Sequence, residues 1–308
     1  MSRSNQRMAY GNALVELGKQ NPNVVVLDAD LSKSTQGCLF EAAFPNRYFE
    51  MGIKEQDMMS TAAGLACSGK IAFANSFAVF ATGRPFDQIR QTISIGKLNV
   101  KICGSSAGLS DFGDGSTHQS VEDMAIMNAI PNMTVLTPAD ANEAAAAVFA
   151  AAAHEGPVYI RLCRNDVLDI TPKAQHFEIG KLHILREGTD CVIFAIGTMV
   201  ERALEAAQKL EREGISAKIV NVSTLKPFDY EGAEALTRGC KAVLVAEEAS
   251  FIGGLTGAVA TALRKSTVPM EYVAIQDIFG QSAQSAGELM DLYGLTTENM
   301  VNKMKSIL

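Results

Sequence analysis

The chain predicts an α/β protein of two domains, each built on a mostly parallel sheet. Short β-branched runs alternate with helix-period segments from end to end, the pattern of repeated strand–helix units. The alternation weakens once, over residues 165–188, and restarts at CVIFAI (191–196). A chain of 308 residues is long enough for two domains of ordinary size, each with its own core. The expected division is a first domain over 1–168 and a smaller second one over 185–308.

Taken in order, residues 4–19 read as a helix with Tyr10, Leu14 and Leu17 on one face. VVVLDAD (24–30) is a buried strand. A helix follows Gly52, with Met58, Ala62, Leu65 and Ala66 inward. A strand near 71–75 leads to a helix carrying Phe86, Ile89 and Ile93, and strands are expected near 100–104, 133–137 and 157–162. Between the last two, a helix start is marked by Thr137 at the N-cap, Pro138 at N1 and Asp140 at N3, ahead of an alanine-rich run. The first helix of the second domain opens with a capping box, Thr198-x-x-Glu201, carries a Glu205/Lys209 pair and stops at Gly214. Strands at 217–222, 242–247 and 271–275 complete that domain. EEASFIGGL (247–255) reads as a strand end followed by a glycine-opened helix, either an anion-binding terminus or a packing surface between subunits.

Composition narrows the function. Apolar and charged fractions of 47% and 20% belong to a soluble globular protein. A net charge of −7, with no Lys/Arg cluster to offset it, argues against a nucleic-acid-binding face. No apolar run reaches the roughly 18–20 residues that cross a bilayer. The start, MSRSNQRMAYGNAL, lacks a signal-peptide core, so the expected location is the cytoplasm. The six cysteines never form a C-x-x-C pair, which suits reduced thiols. None of the four histidines is paired at helical spacing, so no protein-built transition-metal site is expected.

Three stretches are unusual for a plain α/β core: GIKEQ (52–56), SFAVF (76–80) and GDGSTHQ (113–119). Singly, each has an ordinary reading. Glu55 suits a helix first turn, where an acid favours the dipole. Phe77 and Phe80 fit a core, and the glycines around Asp114 fit a surface turn that holds His118.

In order and spacing, however, these stretches, with TPAD (137–140) and GPVYIRLCR (156–164), resemble the transketolase family. The resemblance covers nearly the whole chain. It implies a mostly parallel-sheet pyrimidine-binding domain over 1–168, then a smaller transketolase C-terminal α/β domain over 185–308. The cofactor implied is thiamine diphosphate with Mg²⁺. Glu55 matches the glutamate that binds the aminopyrimidine's N1′, where a carboxyl group in an apolar pocket can share a proton with the ring. Phe77 and Phe80 match the aromatic residues that pack on that ring, and Asp30 matches an acid near the cofactor. The family's third aromatic position is Gly83 here. His118 and Asp114 match residues that contact sugar hydroxyls, His118 also serving to move a proton. Arg7, Ser34 and Arg164 match positions that hold the sugar's phosphate, for which an Arg fork is suited. Each of these three alone also fits a surface or capping role. A histidine common in the family is missing from CGSSAGLS (103–110), and Ala249 stands where relatives often carry another.

Asp114 followed by Asn142 mimics the metal–diphosphate motif of thiamine enzymes. The GDG runs straight into Ser-Thr-His-Gln, however, which is the pyrimidine-domain pattern, so the metal ligands are expected on another chain. The resemblance therefore implies half of a split enzyme that is active only with a separate diphosphate-binding subunit. It also implies an α2β2 assembly in which two copies of this chain meet across a two-fold axis. Ketol transfer between sugar phosphates is the expected reaction. The alternatives are a subunit related to 1-deoxyxylulose-5-phosphate synthase or to the 2-oxo acid dehydrogenases, or a non-catalytic regulatory subunit. Arg7, Ser34 and His118 favour a sugar-phosphate substrate.

Overall fold

The computed structural model of the protein describes residues 2–173 and 176–308. Ala174 and Gln175, inside the segment expected to separate the halves, lie outside the described residues. Seven strands form the larger sheet, in the spatial order Thr224–Lys226, Thr134–Leu136, Val158–Arg161, Val100–Ser105, Ile71–Phe77, Val24–Asp28 and Tyr48–Glu50. All pairings are parallel except that of the Thr224–Lys226 edge. The strands are apolar without alternation because both faces are covered. Val24 and Val26 pack with Tyr10, Leu14 and Ala144 on one face, and Val25 and Leu27 pack with Met58, Ala62 and Ile93 on the other.

The second sheet has five strands, in the order Met270–Ile275, Ala242–Ser250, Cys191–Ala195, Ala217–Asn221 and His183–Arg186. Only the last of these runs antiparallel to its neighbour. The expected α/β class with mostly parallel sheets is thus observed. A small third pairing joins Arg3–Asn5 to Asp166–Leu168. The halves are interlocked: Thr224–Lys226, from the second half, completes the sheet of the first.

Most expected helices and strands are present, and the local details that differ do so for tertiary reasons. The helix after Leu136 spans Ala141–Ala153, capped by Asp140 and not by Thr137. The Thr137 hydroxyl points to Met124 Sδ at 3.7 Å and caps nothing, while Asp140 accepts the Glu143 N–H at 2.9 Å, so the helix opens three residues later. Thr198 flanks the helix Met199–Arg212 but makes no side-chain cap, and its hydroxyl donates instead to Glu248. Glu201, its supposed box partner, pairs with Arg3 at 2.6 Å. Glu205 accepts from Thr297 and Lys209 pairs with Glu298, so the expected pair is replaced by contacts to the C-terminal helix. In the helix Glu55–Cys67 the buried face is Met58, Met59, Ala62 and Ala63, with Leu65 and Ala66 only half-buried. Phe86 is exposed, while Ile89 and Ile93 are fully buried.

The glycine-opened helix is Leu255–Ala262, and its N-terminus is already filled. The buried Glu247 carboxylate accepts the N–H groups of Leu255 (2.7 Å) and Thr256 (2.8 Å) and the Thr256 hydroxyl (2.6 Å). The anion that this terminus attracts is one of the protein's own side chains.

Candidate active site

Open parallel sheets place sites beyond the carboxyl ends of their strands, where the strand order reverses. Here the chain passes from Val24–Asp28 outward to Tyr48–Glu50 and then returns to Ile71–Phe77 on the other side. The crevice therefore opens between the ends of Val24–Asp28 and Ile71–Phe77. Asp30 follows the first of these strands and Phe77 ends the second. Glu55 begins the helix after Tyr48–Glu50, and Asp114 and His118 lie on the loop after Val100–Ser105. Arg164 follows Val158–Arg161.

A recess of about 290 Å³ occupies this crevice, lined by Asp30, Ile53, Glu55, Phe80, Arg84 and His118 among others. Phe77 and Phe80 lie nearly parallel, with centroids 6.1 Å apart and planes 16° from each other. The His118 ring stands edge-on to both, 5.2 Å from Phe80 and 6.2 Å from Phe77. Its Nδ1 is 2.9 Å from the Thr117 hydroxyl. Asp30 is exposed at the rim in a left-handed conformation (φ 62°), with its N–H donated to Glu50. An Asp tolerates that conformation better than most side chains do.

Glu55 is 4% exposed, and one carboxylate oxygen accepts from Arg84 Nη1 at 2.7 Å. The Arg84 guanidinium also lies over Phe80, 3.9 Å from the ring centroid. The position that Gly83 leaves without a side chain is thus flanked by a cation stacked on the aromatic platform.

The basic residues form a second group beside the first. Arg7 Nη1 donates to the Ser34 carbonyl (2.8 Å) and Nη2 to the Arg164 carbonyl (3.0 Å). Ser34 therefore engages Arg7 through its backbone. Burial, and then the neighbouring Arg164, lower the proton affinity of Arg7. Arg164 Nη1 donates to Asp111 at 2.8 Å, and its guanidinium lies 5.9 Å from the Phe77 centroid, which joins the two groups. Burial pushes the Asp111 carboxyl up, Arg164 opposes the shift, and Asp114 adds to it. Asp114 itself is exposed at the loop surface.

Sequence reasoning missed Arg84 and Asp111. The signal for Arg84 was a charged residue directly after the missing aromatic, in the turn Gly83-Arg84-Pro85. Asp111 carried no such signal, because its importance comes from Arg164, 53 residues away. Asn142, half of the rejected metal motif, donates its amide to the Thr171 carbonyl.

Beneath the crevice, Asp28 ties down the loop that carries Asp30 and Ser34. Its carboxylate accepts the Leu31 N–H (2.9 Å) and the Thr35 hydroxyl (2.5 Å). Burial raises its pKa to about 7, partly offset by those two donors. A raised folded-state value means the native state holds this proton more tightly than the unfolded chain does. The associated stability is full below the unfolded carboxyl range and is lost as pH rises through about 7. Between pH 4 and pH 8, the protein should lose up to about 4 kcal/mol of unfolding free energy relative to Asp28→Asn. Urea unfolding of both proteins across that range measures the difference, and parallel pH profiles would contradict the assignment.

The transketolase pyrimidine-binding-domain family matches residues 3–168, and the transketolase C-terminal-domain family matches residues 180–300. The chain belongs to the transketolase family, a membership that implies transferase chemistry dependent on thiamine diphosphate. It is 44% identical, over 97% of its length and 94% of the other's, to a Methanocaldococcus jannaschii protein described as a transketolase C-terminal section. It is 40% identical, over 96% of its length and 92% of the other's, to a 6-deoxy-6-sulfo-D-fructose transketolase subunit of a Clostridium species. Among solved structures it is similar to a split-gene transketolase described as an inactive β4 tetramer, with a TM-score of 0.90 and 47% identity, covering 100% of this chain and 99% of that one.

The residues present fit one end of the cofactor. A buried carboxylate at a recess with an aromatic wall suits an aminopyrimidine ring. Among the described residues, no group of three or more His, Cys, Asp or Glu side chains is placed to hold a metal ion.

Proposed function

We propose that this chain is the pyrimidine-binding subunit of a split transketolase, transferring a two-carbon ketol unit between sugar phosphates together with a separate diphosphate-binding chain. The observation that carries this reading is the convergence of Glu55, Phe80 and His118 on one recess, with the Arg7–Arg164 group adjoining it. Bound thiamine diphosphate supplies the carbon nucleophile. Glu55 holds a proton against the pyrimidine's N1′, and Phe77 and Phe80 orient the ring. His118 and Asp114 hydrogen-bond the sugar hydroxyls, His118 also moving a proton, while Asp30 borders the cofactor. Arg7, Ser34 and Arg164 hold the sugar's charged end. Mg²⁺ and the diphosphate belong to the partner, in an α2β2 assembly with two copies of this chain at its two-fold axis. The description of a similar split-gene chain as an inactive β4 tetramer supports the need for that partner.

A second donor class has one observation in its favour. Asp111 neutralises one of the two arginines at the charged end, which suits a monoanionic terminus better than a phosphate dianion. The sulfosugar named for the Clostridium relative has such a terminus.

The test is a coupled assay with thiamine diphosphate, Mg²⁺ and ribose 5-phosphate as acceptor. The donors are xylulose 5-phosphate and 6-deoxy-6-sulfo-D-fructose, and the chain is tested alone and with the product of its neighbouring open reading frame. Turnover only in the mixture is expected. Turnover by the chain alone would refute the split. Decarboxylation of a 2-oxo acid without turnover of any sugar would refute ketol transfer.

A further inference from the structure

Arg84 touches both groups that the proposed site would offer to an aminopyrimidine. Its guanidinium takes an oxygen of the Glu55 carboxylate at 2.7 Å, and it covers a face of Phe80 with Cζ 3.9 Å from the ring centroid. Phe80 is flanked elsewhere by Phe77, and His118 meets it edge-on, so Arg84 lies on a face that a stacking ring would need. Of the ion pair, Glu55 is 4% exposed and Arg84 is 46% exposed. The arginine is therefore the partner that can leave. It reaches in from the turn Gly83-Arg84-Pro85, whose own position is fixed independently by Gln56 donating to the Arg84 carbonyl. The backbone can thus stay in place while the side chain swings out.

Resting on the thiamine-diphosphate reading above, we propose that Arg84 is a displaceable latch over the pyrimidine subsite. In the free chain it keeps the buried Glu55 carboxylate paired and the Phe80 ring covered, and it leaves both when an aminopyrimidine enters. With its guanidinium half-exposed to water, Arg84 gives up only a screened ion pair and a cation–π contact, each modest on its own. The latch therefore protects the site without closing it, and its opening is part of the free energy of cofactor binding.

The experiment is calorimetric titration of thiamine diphosphate, in excess Mg²⁺, into the reconstituted pair carrying wild-type chain, Arg84→Ala or Arg84→Lys, with thermal melts to confirm folding. Removing the latch should tighten binding by about 5- to 30-fold, the equivalent of ~1–2 kcal/mol at 1.4 kcal/mol per decade. Arg84→Lys keeps the charge but loses the planar fork, and should fall between the two. A crystal structure of the loaded wild-type pair should show the guanidinium withdrawn from Phe80. Equal affinities, or weaker binding by Arg84→Ala, would overturn the latch while leaving the cofactor reading intact. A guanidinium still stacked on Phe80 in the loaded pair would do the same. No binding by any of the three pairs would overturn the cofactor reading, and the latch with it.

Discussion

Replacing Glu55 with glutamine should lower the kcat of the reconstituted pair by 10²–10⁴-fold, the range of a lost acid–base contribution. The substitution keeps the shape of the side chain and removes its ability to give up or accept a proton at N1′. Glu55 is nearly covered at the recess and its ion-pair partner Arg84 is half exposed, so glutamine leaves no buried charge behind and the chain should fold normally. The loss should persist at saturating cofactor, which separates a role in proton exchange from one in binding alone. A kcat within threefold of wild type at saturating thiamine diphosphate would remove Glu55 from the chemistry. It would also favour a regulatory role for the chain.

Asp140→Ala should cost roughly 3–5 kcal/mol of stability. The fully buried Asp140 carboxylate is the acceptor for four hydrogen bonds, from Glu143 N (2.9 Å), Ile170 N (2.7 Å), Thr171 N (2.6 Å) and the Thr171 hydroxyl (2.8 Å). The first caps the alanine-rich helix, a contribution of ~1 kcal/mol. The others anchor the chain as it leaves the first half. Three backbone donors would lose their acceptor where water does not reach readily, and each unsatisfied group costs ~1–3 kcal/mol, eased by local relaxation. Asp140→Asn keeps one acceptor oxygen and should lose about half as much. Urea unfolding with an unchanged m-value would measure both, and a loss below 1 kcal/mol for alanine would show that the cluster rearranges freely.

How far sequence reached depended on the range of the interaction. Apolar runs such as VVVLD are local and led to the sheet, whereas Glu55, Phe77, Phe80 and His118 were singled out only through the family resemblance carried by the order of the three unusual stretches. What sequence missed was decided by partners far along the chain. Thr137 looks like a cap until its hydroxyl turns to Met124, and Thr198 and Glu201 look like a box until Glu248 and Arg3 claim them. Asp140 was assigned to the right turn but to the wrong position, because a carboxylate serving Ile170 and Thr171 as well has to stand at the helix entrance. Arg84 and Asp111 acquire meaning only from the Glu55 and Arg164 side chains that they meet.

The strand Thr224–Lys226 imposes an order on synthesis. Until residue 226 leaves the ribosome, the Thr134–Leu136 strand presents an open edge, the kind of surface on which unfinished chains pair with one another. Both halves also contribute to one continuous apolar cluster that includes Met127, Leu225, Phe228 and Val245. Cutting the chain between residues 169 and 182 would therefore nick the protein without releasing either piece. Recombinant fragments ending before residue 224 should accumulate as aggregates, whatever the quality of their own core.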